Sequence, residues 1–416
     1  MNIVNAAGFN LVEQSATMGN AFAGGAATAE DASTIYFNPA GMTYLPENQV
    51  VISAHAARPV VNFNNDGSHT TSGPATSGGD GGDGGSWAFI PNIYFEKTIT
   101  PDVRLGIGLS SLFGLKTEYD KDWVGRYQAI KSDLKTISMN PSIAFKANDH
   151  ISLGFGVSAM RAEAELTNAV DFGTLTKVPS LFQKRDGLAS IKGNDWGFGW
   201  NAGTIWQVSE GTRIGLSYRS QIHQRLDGTV SFSNVPGKLA SNPAFARSGI
   251  TAKLVTPDSL NLSIFHKLNN QWDISGDIVW TGWSTFKNLS VVRDNGKNVA
   301  SIPQNWENAI RVAAGAAYQF SDALKLRAGI AYDESPVLDK FRNPRIPDSD
   351  RIWLSLGSSY KITPTSNINF AYTHIFFKTS TQNKLTDSAV PTLRDTLKGN
   401  YDNYANILSA QYNYSF

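Results

Sequence analysis

The chain has 416 residues, with 36 Lys+Arg against 35 Asp+Glu, a net charge of +1 and no cysteine. Near-zero charge without a basic tract excludes nucleic acid as the main partner, and the missing cysteine excludes disulfides, thiolate chemistry and Cys-ligated zinc. Aromatics at 11% supply enough apolar material for a buried core, so disorder is excluded. Charged residues, at 17%, fall below the roughly 25% of ordinary soluble domains. No run of about 18 apolar residues occurs, so no transmembrane helix is expected. Met1-Asn2-Ile3-Val4-Asn5 is too short for the start of a signal peptide, so an exported protein is expected here in its mature form.

Residues 1–45 read as one unit. The stretch Ser15-Ala16-Thr17-Met18-Gly19-Asn20-Ala21-Phe22-Ala23-Gly24-Gly25-Ala26-Ala27 is rich in small residues and lacks strand alternation. Pro39 and the glycines disfavour one continuous helix, so short helical turns are expected, ending at Asn38-Pro39-Ala40. From residue 46 onward the pattern becomes alternation and holds to Phe416. Ile214, Leu216 and Tyr218 oppose Arg213, Ser217 and Arg219. Leu324, Leu326, Ala328, Ile330 and Tyr332 oppose Lys325, Arg327, Gly329 and Asp333. Leu408, Ala410, Tyr412, Tyr414 and Phe416 oppose Ser409, Gln411, Asn413 and Ser415. A period of two marks half-buried strands.

The connectors alternate in length. Short ones include Thr100-Pro101-Asp102, Ala147-Asn148-Asp149, Ser209-Glu210-Gly211-Thr212 and Ser321-Asp322-Ala323. Long ones run over 64–86, 115–132, 167–190, 234–249, 288–303, 337–349 and 382–400. Seven hairpins make fourteen strands. Strict short/long alternation predicts an all-β transmembrane barrel of 14 antiparallel strands, with short periplasmic turns and long extracellular loops. A spanning sheet must close on itself because backbone groups in hydrocarbon have no water to bond. Tyr218, Tyr318, Phe320, Tyr360 and Tyr412 are read as an interfacial girdle beside the short turns.

Six motifs in order from end to end resemble those of the FadL-type long-chain fatty acid transporters of bacterial outer membranes. They are Gly8-Phe9-Asn10-Leu11, Asn38-Pro39-Ala40, the run from Gly193 to Gly203, Tyr218-Arg219-Ser220, the run from Gly329 to Val337, and Ile346-Pro347-Asp348-Ser349-Asp350-Arg351. The resemblance implies that residues 1–45 form a hatch inside a barrel built from 46–416. It implies capture of a hydrophobic ligand outside, transfer to an interior pocket, and sideways exit at a kink in the third strand. Leu112, Phe113 and Gly114 match that kink, and Gly203 matches a family glycine beside the opening. Asn38, Pro39 and Ala40 match the hatch motif, taken as the gate. Phe9 matches a residue at the interior pocket. Leu175, Val178, Leu181, Phe182 and Phe245 lie in loops that form an outer hydrophobic groove in the family; the plainer reading is that those loops pack on each other.

Among lumen-side charges, Arg161, Arg219 and Arg311 are the candidates for a carboxylate contact, since Arg binds carboxylates bidentately. The favoured reading for any single Arg is an ion ladder across adjacent strands, or to Glu30 and Asp31 of the hatch. Leu166 and the Ile302-Pro303 region stand where family members carry basic residues near the headgroup. The Gly/Asp run at 78–85 is read as a flexible loop rather than a calcium site. No metal, cofactor or catalytic constellation is expected; no GxSxG, HExxH or P-loop motif appears. The chain is therefore expected to be a monomeric outer-membrane barrel, surrounded by lipid and lipopolysaccharide, that passes long-chain fatty acids or similar molecules by passive, ligand-gated diffusion. Competing readings are a channel for aromatic hydrocarbons or alkanes, an outer-membrane hydrolase, and a general porin.

Overall fold

The computed structural model describes residues 7–46, 48–70, 73–385 and 395–416. Residues 1–6 of the expected hatch and 386–394 of the expected last loop lie outside the described residues.

Fourteen antiparallel strands close into one barrel. They are β1 (Gln49–Asn65), β2 (Ala88–Thr100), β3 (Val103–Ser110 and Gly114–Glu118), β4 (Lys131–Lys146), β5 (Ile151–Asp171), β6 (Asp186–Ser209) and β7 (Thr212–Arg219 and Ile222–Ser233). The series continues with β8 (Ser248–Thr256 and Ser259–Lys267), β9 (Trp272–Thr281 and Asn288–Arg293), β10 (Asn298–Pro303 and Ala309–Gln319) and β11 (Leu324–Asp333). β12 (Arg351–Thr363), β13 (Ser366–Phe377 and Ser380–Leu385) and β14 (Asp395–Ser415) complete it. Each strand pairs with its chain neighbour, and β14 closes on β1 from Gln49↔Ser415 to Asn65↔Gly399. Several expected loops are shorter than the sequence reading gave them. Residues 288–303 in particular form the paired ends of β9 and β10 around a turn at 294–297, because alternation there is too brief to stand out.

The faces follow the period of two. Leu354, Leu356 and Leu408 point outward and are 45–63% exposed, whereas Trp353 and Ser355 point inward and are buried. Among the described residues no helix is long and apolar enough to cross a membrane; the barrel crosses with strands. Trp272 stacks near Tyr318 at 4.7 Å beside a short turn. Tyr218 is a correction: it lies at the far end of Thr212–Arg219, away from the turn at 210–211, and its hydroxyl donates to Asp258 at 3.0 Å.

Ahead of β1, residues 7–46 lie within the barrel as short helical turns: Ala16–Asn20, Gly25–Thr28, Thr34–Phe37 and Pro39–Tyr44. Almost every side chain in them is buried. Their backbone comes unusually close to the wall because the wall is glycine where they touch it. A Cβ at Gly154, Gly203 or Gly215 would run into Ala40, Asn38 or Ala26. On the opposite side, Gly315 and Gly329 face Asn20, and Gly357 faces Gly19. Glycine inside a strand weakens it but admits a second backbone; here the second backbone is the hatch.

This fit generates a prediction. Gly215→Val must push against the hatch backbone at Ala26, not against a movable side chain. The variant should still form a heat-modifiable barrel, but with the hatch unseated. Planar-bilayer recordings should then show single-channel conductance raised several-fold over wild type. Unchanged conductance would mean that the glycine faces are not what seats the plug.

Candidate functional site

Interruptions of the strands bring large apolar side chains into the lumen. Trp283 and Phe286 come from 282–287 between the halves of β9, Trp306 from 304–308 between the halves of β10, and Leu112 and Phe113 from 111–113 between the halves of β3. They meet around Phe9. Ring centroids lie 4.6 Å from Phe9 to Trp283, 5.6 Å to Phe286, 5.7 Å to Trp306 and 6.0 Å to Phe113, mostly edge to face. Aromatic rings prefer such edge-to-face contacts. The same apolar cluster continues through Leu134, Met160, Ile191 and Val291, with Leu166 and Leu289 packed against it. The barrel thus encloses a connected apolar cluster on the long-loop side of the hatch, with Phe9 packed inside it.

The first described strip of the hatch is tied down at its backbone. The Gly8 N–H donates to Asp348 Oδ2 at 2.9 Å and the Ala7 N–H to Asp333 Oδ2 at 3.3 Å. Arg351 joins both carboxylates, at 2.9 Å to Asp348 and 3.4 Å to Asp333. Gly8 has φ of +69°, and an added Cβ would strike Trp306 at 2.6 Å, so both its conformation and its surroundings require glycine.

At the kink, Ser111-Leu112-Phe113 leaves the barrel wall. Pairing of β2 with β3 stops at Ile93↔Leu109, while β2 residues 88–92 pair with β1 alone among the described residues. The displaced backbone bonds to groups inside the barrel and on β4. Leu11 N–H donates to Leu112 O at 2.9 Å, Gly114 N–H to Phe9 O at 2.8 Å, and Gln14 Nε2 to Ser111 O at 2.8 Å. Phe113 N–H donates to Thr136 Oγ1 at 3.0 Å, whose hydroxyl donates back to Phe113 O at 2.6 Å. Asn10 and Phe113 form an antiparallel bridge. Leu112, Phe113 and Gly114 are therefore brought together with Phe9.

Gly203 is not at this kink. It faces Asn38, eight residues along β6 from Asp195, which lies level with Ala162 of β5. Asn38 is buried and fully used: Nδ2 donates to Ala26 O at 2.8 Å and to Thr204 O of β6 at 3.0 Å, and Oδ1 accepts from Ala40 N–H at 3.1 Å. Asn38, Pro39 and Ala40 thus sit in a socket made by Gly154 and Gly203.

The arginines divide. Arg161 points outward, because odd residues of β5 do so, and it pairs with Glu163 at 2.9 Å on the exposed face. It has no place in the lumen. Arg311 pairs with Asp277 at 3.4 Å and donates to Ala21 O of the hatch. Arg219 donates to Tyr36 O at 2.9 Å and lies over the Tyr36 ring at 4.9 Å. Arg327 holds Glu30 at 2.9 Å, with Lys325 at 3.7 Å. Apart from Arg161, these are wall-to-hatch ties.

Leu175 and Phe245 pack on each other's loops around Phe172, with Phe172–Phe245 centroids 5.1 Å apart. Val178, Leu181 and Phe182 are half-buried nearby in sequence. In the Gly/Asp run, Asp83 accepts from the N–H groups of Val61 and Gly85 and pairs with Arg58. Gly81 and Gly84 lie against Trp123 and Tyr119. The run lies on aromatic rings instead of standing free. No group of three or more potential metal ligands occurs among the described residues.

Sequence reasoning missed Trp283, Trp306 and Arg345. For the tryptophans a signal existed: each interrupts strand alternation beside Gly282 or Asn305. Arg345, within 334–350, had none. It is buried beside a cavity of about 110 Å³, bounded by Leu166, Ile191, Leu289, Val291 and Ile302.

Comparison with known proteins matches residues 1–416 to the family described as "Outer membrane protein transport protein (OMPP1/FadL/TodX)". Outer membrane protein P1 of Haemophilus influenzae is 33% identical, over 99% of this chain and 96% of its own length. The long-chain fatty acid transport protein of Escherichia coli K12 is 29% identical, over 89% of this chain and 87% of its own. Among solved structures, a Pseudomonas aeruginosa FadL homologue superimposes with a TM-score of 0.91 at 25% identity, covering 99% and 100% of the two chains. The Pseudomonas putida toluene transporter TodX shares the fold, with a TM-score of 0.68 at 20% identity, over 92% of this chain and 94% of its own.

The hatch tie at Glu30 generates a pH prediction. Burial alone would raise its carboxyl, but Arg327 and Lys325 more than offset this and hold it at about 2, against an ordinary 4.5. A depressed acid stabilises fully above its unfolded value and loses that contribution as pH falls through the folded one. Wild type should therefore withstand heat better than Glu30→Gln above about pH 4.5, and the difference should vanish near pH 2. Heat-modifiability on gels after incubation at each pH reads this out; a pH-independent difference would deny the ion pair its role.

Proposed function

The chain belongs to the FadL/TodX family of outer-membrane transporters of hydrophobic molecules, and on that premise we propose that it takes up long-chain fatty acids by passive diffusion with sideways exit at the β3 kink. The observation that carries the reading is the connected apolar cluster that lines the lumen up to the kink, where Phe9 packs into it against Phe113. An alkyl chain occupying it displaces Phe9, and with it the strip that pairs with Leu112 and Gly114.

Release into periplasmic water would expose the chain at about 0.8 kcal/mol per CH₂. For about sixteen carbons that exceeds ~10 kcal/mol on the same estimate. Passage from chamber to hydrocarbon avoids most of this. The kink stands where outward residues of β4 change from Ile137 and Met139 to the charged Lys135 and Asp133. That is the outer edge of the apolar belt, so exit there delivers the ligand to the outer leaflet. Capture begins on the loops carrying Leu175, Val178, Leu181, Phe182 and Phe245.

In this mechanism the gate is narrower than residues 1–45. The body around Asn38-Pro39-Ala40 is the floor, bonded to β6 and seated on glycines. The strip 7–11 is the moving part, since its bonds to the barrel are few and go to the kink or to Asp333 and Asp348, while only the Leu11 carbonyl is held by the hatch body, by Gln14 and Tyr36. Ligand shifts this strip only through its higher affinity for the displaced state.

A second reading is favoured by one observation: the phenyl ring of Phe9, itself the size of a monoaromatic hydrocarbon, is held edge-on by four aromatic rings. Mass spectrometry of ligands extracted from purified protein separates the two. Long-chain fatty acids are expected; recovery of monoaromatic compounds alone would overturn the first reading.

Two cysteine pairs test the gate. A disulfide joining Asn10→Cys to Phe113→Cys across their bridge should abolish fatty acid uptake, with activity returning on reduction. One joining Thr43→Cys to Ser152→Cys, whose hydroxyls lie 2.7 Å apart between the hatch body and β5, should leave uptake near normal. The opposite pattern would move the gate into the hatch body and away from the strip.

A further inference from the structure

We infer that Arg345 is the anion anchor of the interior site, receiving the carboxylate of a long-chain ligand whose alkyl chain lies along Leu166, Ile191, Leu289 and Val291. The inference rests on the fatty acid reading above and deepens it by assigning the headgroup.

Arg345 is 6% exposed. Its guanidinium touches only neutral groups: Ser132 Oγ at 3.1 Å, Lys131 O at 3.3 Å, Thr167 O at 3.4 Å and Asn168 Oδ1 at 3.4 Å. Nε has no hydrogen-bond partner, and no carboxylate lies within ion-pair distance, among the described residues. Burial lowers its proton affinity, to about 10. By contrast Arg311, Arg327, Arg342 and Arg351 each have an acidic partner. A buried charge without a counter-charge is costly, and buried charges in proteins are as a rule paired.

The missing counter-charge has a place to go. Arg345 borders the cavity of about 110 Å³ together with Leu166, Ile191, Leu289, Val291 and Ile302. That volume suits a headgroup and the first carbons. Ile191 and Val291, with Leu166 and Leu289 against them, belong to the same apolar cluster as Phe9, so the apolar wall offered to the rest of a chain continues toward the kink. One charged end and a long apolar wall fit an amphiphile with a single anionic head. A hydrocarbon would leave the guanidinium unpaired. Leu166 and Ile302 line this cavity, so the cationic contact comes from the loop at 334–350 and not from the strand positions they occupy.

The plainer role, tying that loop to the ends of β4 and β5, needs donors but no charge. Glutamine keeps donors and loses the charge; lysine keeps the charge. Oleate and oleyl alcohol are titrated into wild type, Arg345→Gln and Arg345→Lys, each in detergent-free nanodiscs and checked for heat-modifiability. Arg345→Gln should lose about tenfold or more in oleate affinity, as expected when a charged hydrogen bond is removed. Its affinity for oleyl alcohol should stay within about twofold, and Arg345→Lys should keep most of the oleate affinity. Equal loss of both ligands in Arg345→Gln, or no loss of oleate, overturns the anchor alone. Wild type that binds neither ligand overturns the fatty acid reading beneath it.

Discussion

Backbone pairing in hydrocarbon is the constraint on which this structure depends. A spanning strand has no water to bond, so its N–H and C=O groups must find protein partners. Thirteen neighbouring pairs and the β14–β1 closure satisfy this around the wall. At Ser111-Leu112-Phe113 the wall breaks, and the rule is met from within: Phe9, Leu11, Gln14 and Thr136 supply the partners. The hatch is therefore part of the wall's hydrogen bonding as well as a plug. A kinked strand without residues 9–14 behind it would leave unpaired groups at the lipid boundary, each costing several kcal/mol.

The same residues couple chamber to wall. Phe9 sits among the aromatic rings while its own carbonyl bonds to Gly114 N–H. One residue thus fills the ligand space with its side chain and holds the kink with its backbone. In the proposed mechanism, occupying that space and loosening that bond are the same displacement, so no long chain of intermediates is needed to link binding to opening. The hatch body can stay still while this happens. Its contacts are of a different kind: backbone seated on glycine, and ion pairs from Glu30 to Arg327 and Lys325.

The barrel was legible in the sequence because strand alternation and turn length are local signals that the membrane makes strict. The strand number and the outward faces at Leu354 or Leu408 follow from them. The interior was less legible, for physical reasons that differ by residue. Arg161 stands near lumen residues in sequence, but a period of two sends it outward to Glu163. Gly203 was placed by resemblance beside the opening, whereas its missing side chain makes room for Asn38. Trp283 and Trp306 interrupt alternating strands, and that interruption is the trace they leave. Arg345 leaves none, because a loop residue's surroundings are set by how the loop folds back into the barrel.

What separates Arg345 from the other interior arginines is where the hatch ends. The barrel needs inward polar residues on every strand to keep the sheet's two faces distinct, so arginines line the lumen from Arg213 to Arg351. At hatch level the plug answers them with carboxylate or carbonyl: Glu30 for Arg327, the Ala21 carbonyl for Arg311, the Tyr36 carbonyl for Arg219. Just beyond it, Asp333 and Asp348 answer Arg351. Farther toward the long loops the plug no longer reaches, and the facing surfaces are apolar. Arg345 at that level meets no carboxylate within ion-pair distance among the described residues and is only 6% exposed. Arg219 and Arg345 are both met by neutral oxygens, but Arg219 is held by the hatch whereas Arg345 borders a cavity, and on the proposed reading the carboxylate of an entering molecule supplies the counter-charge there.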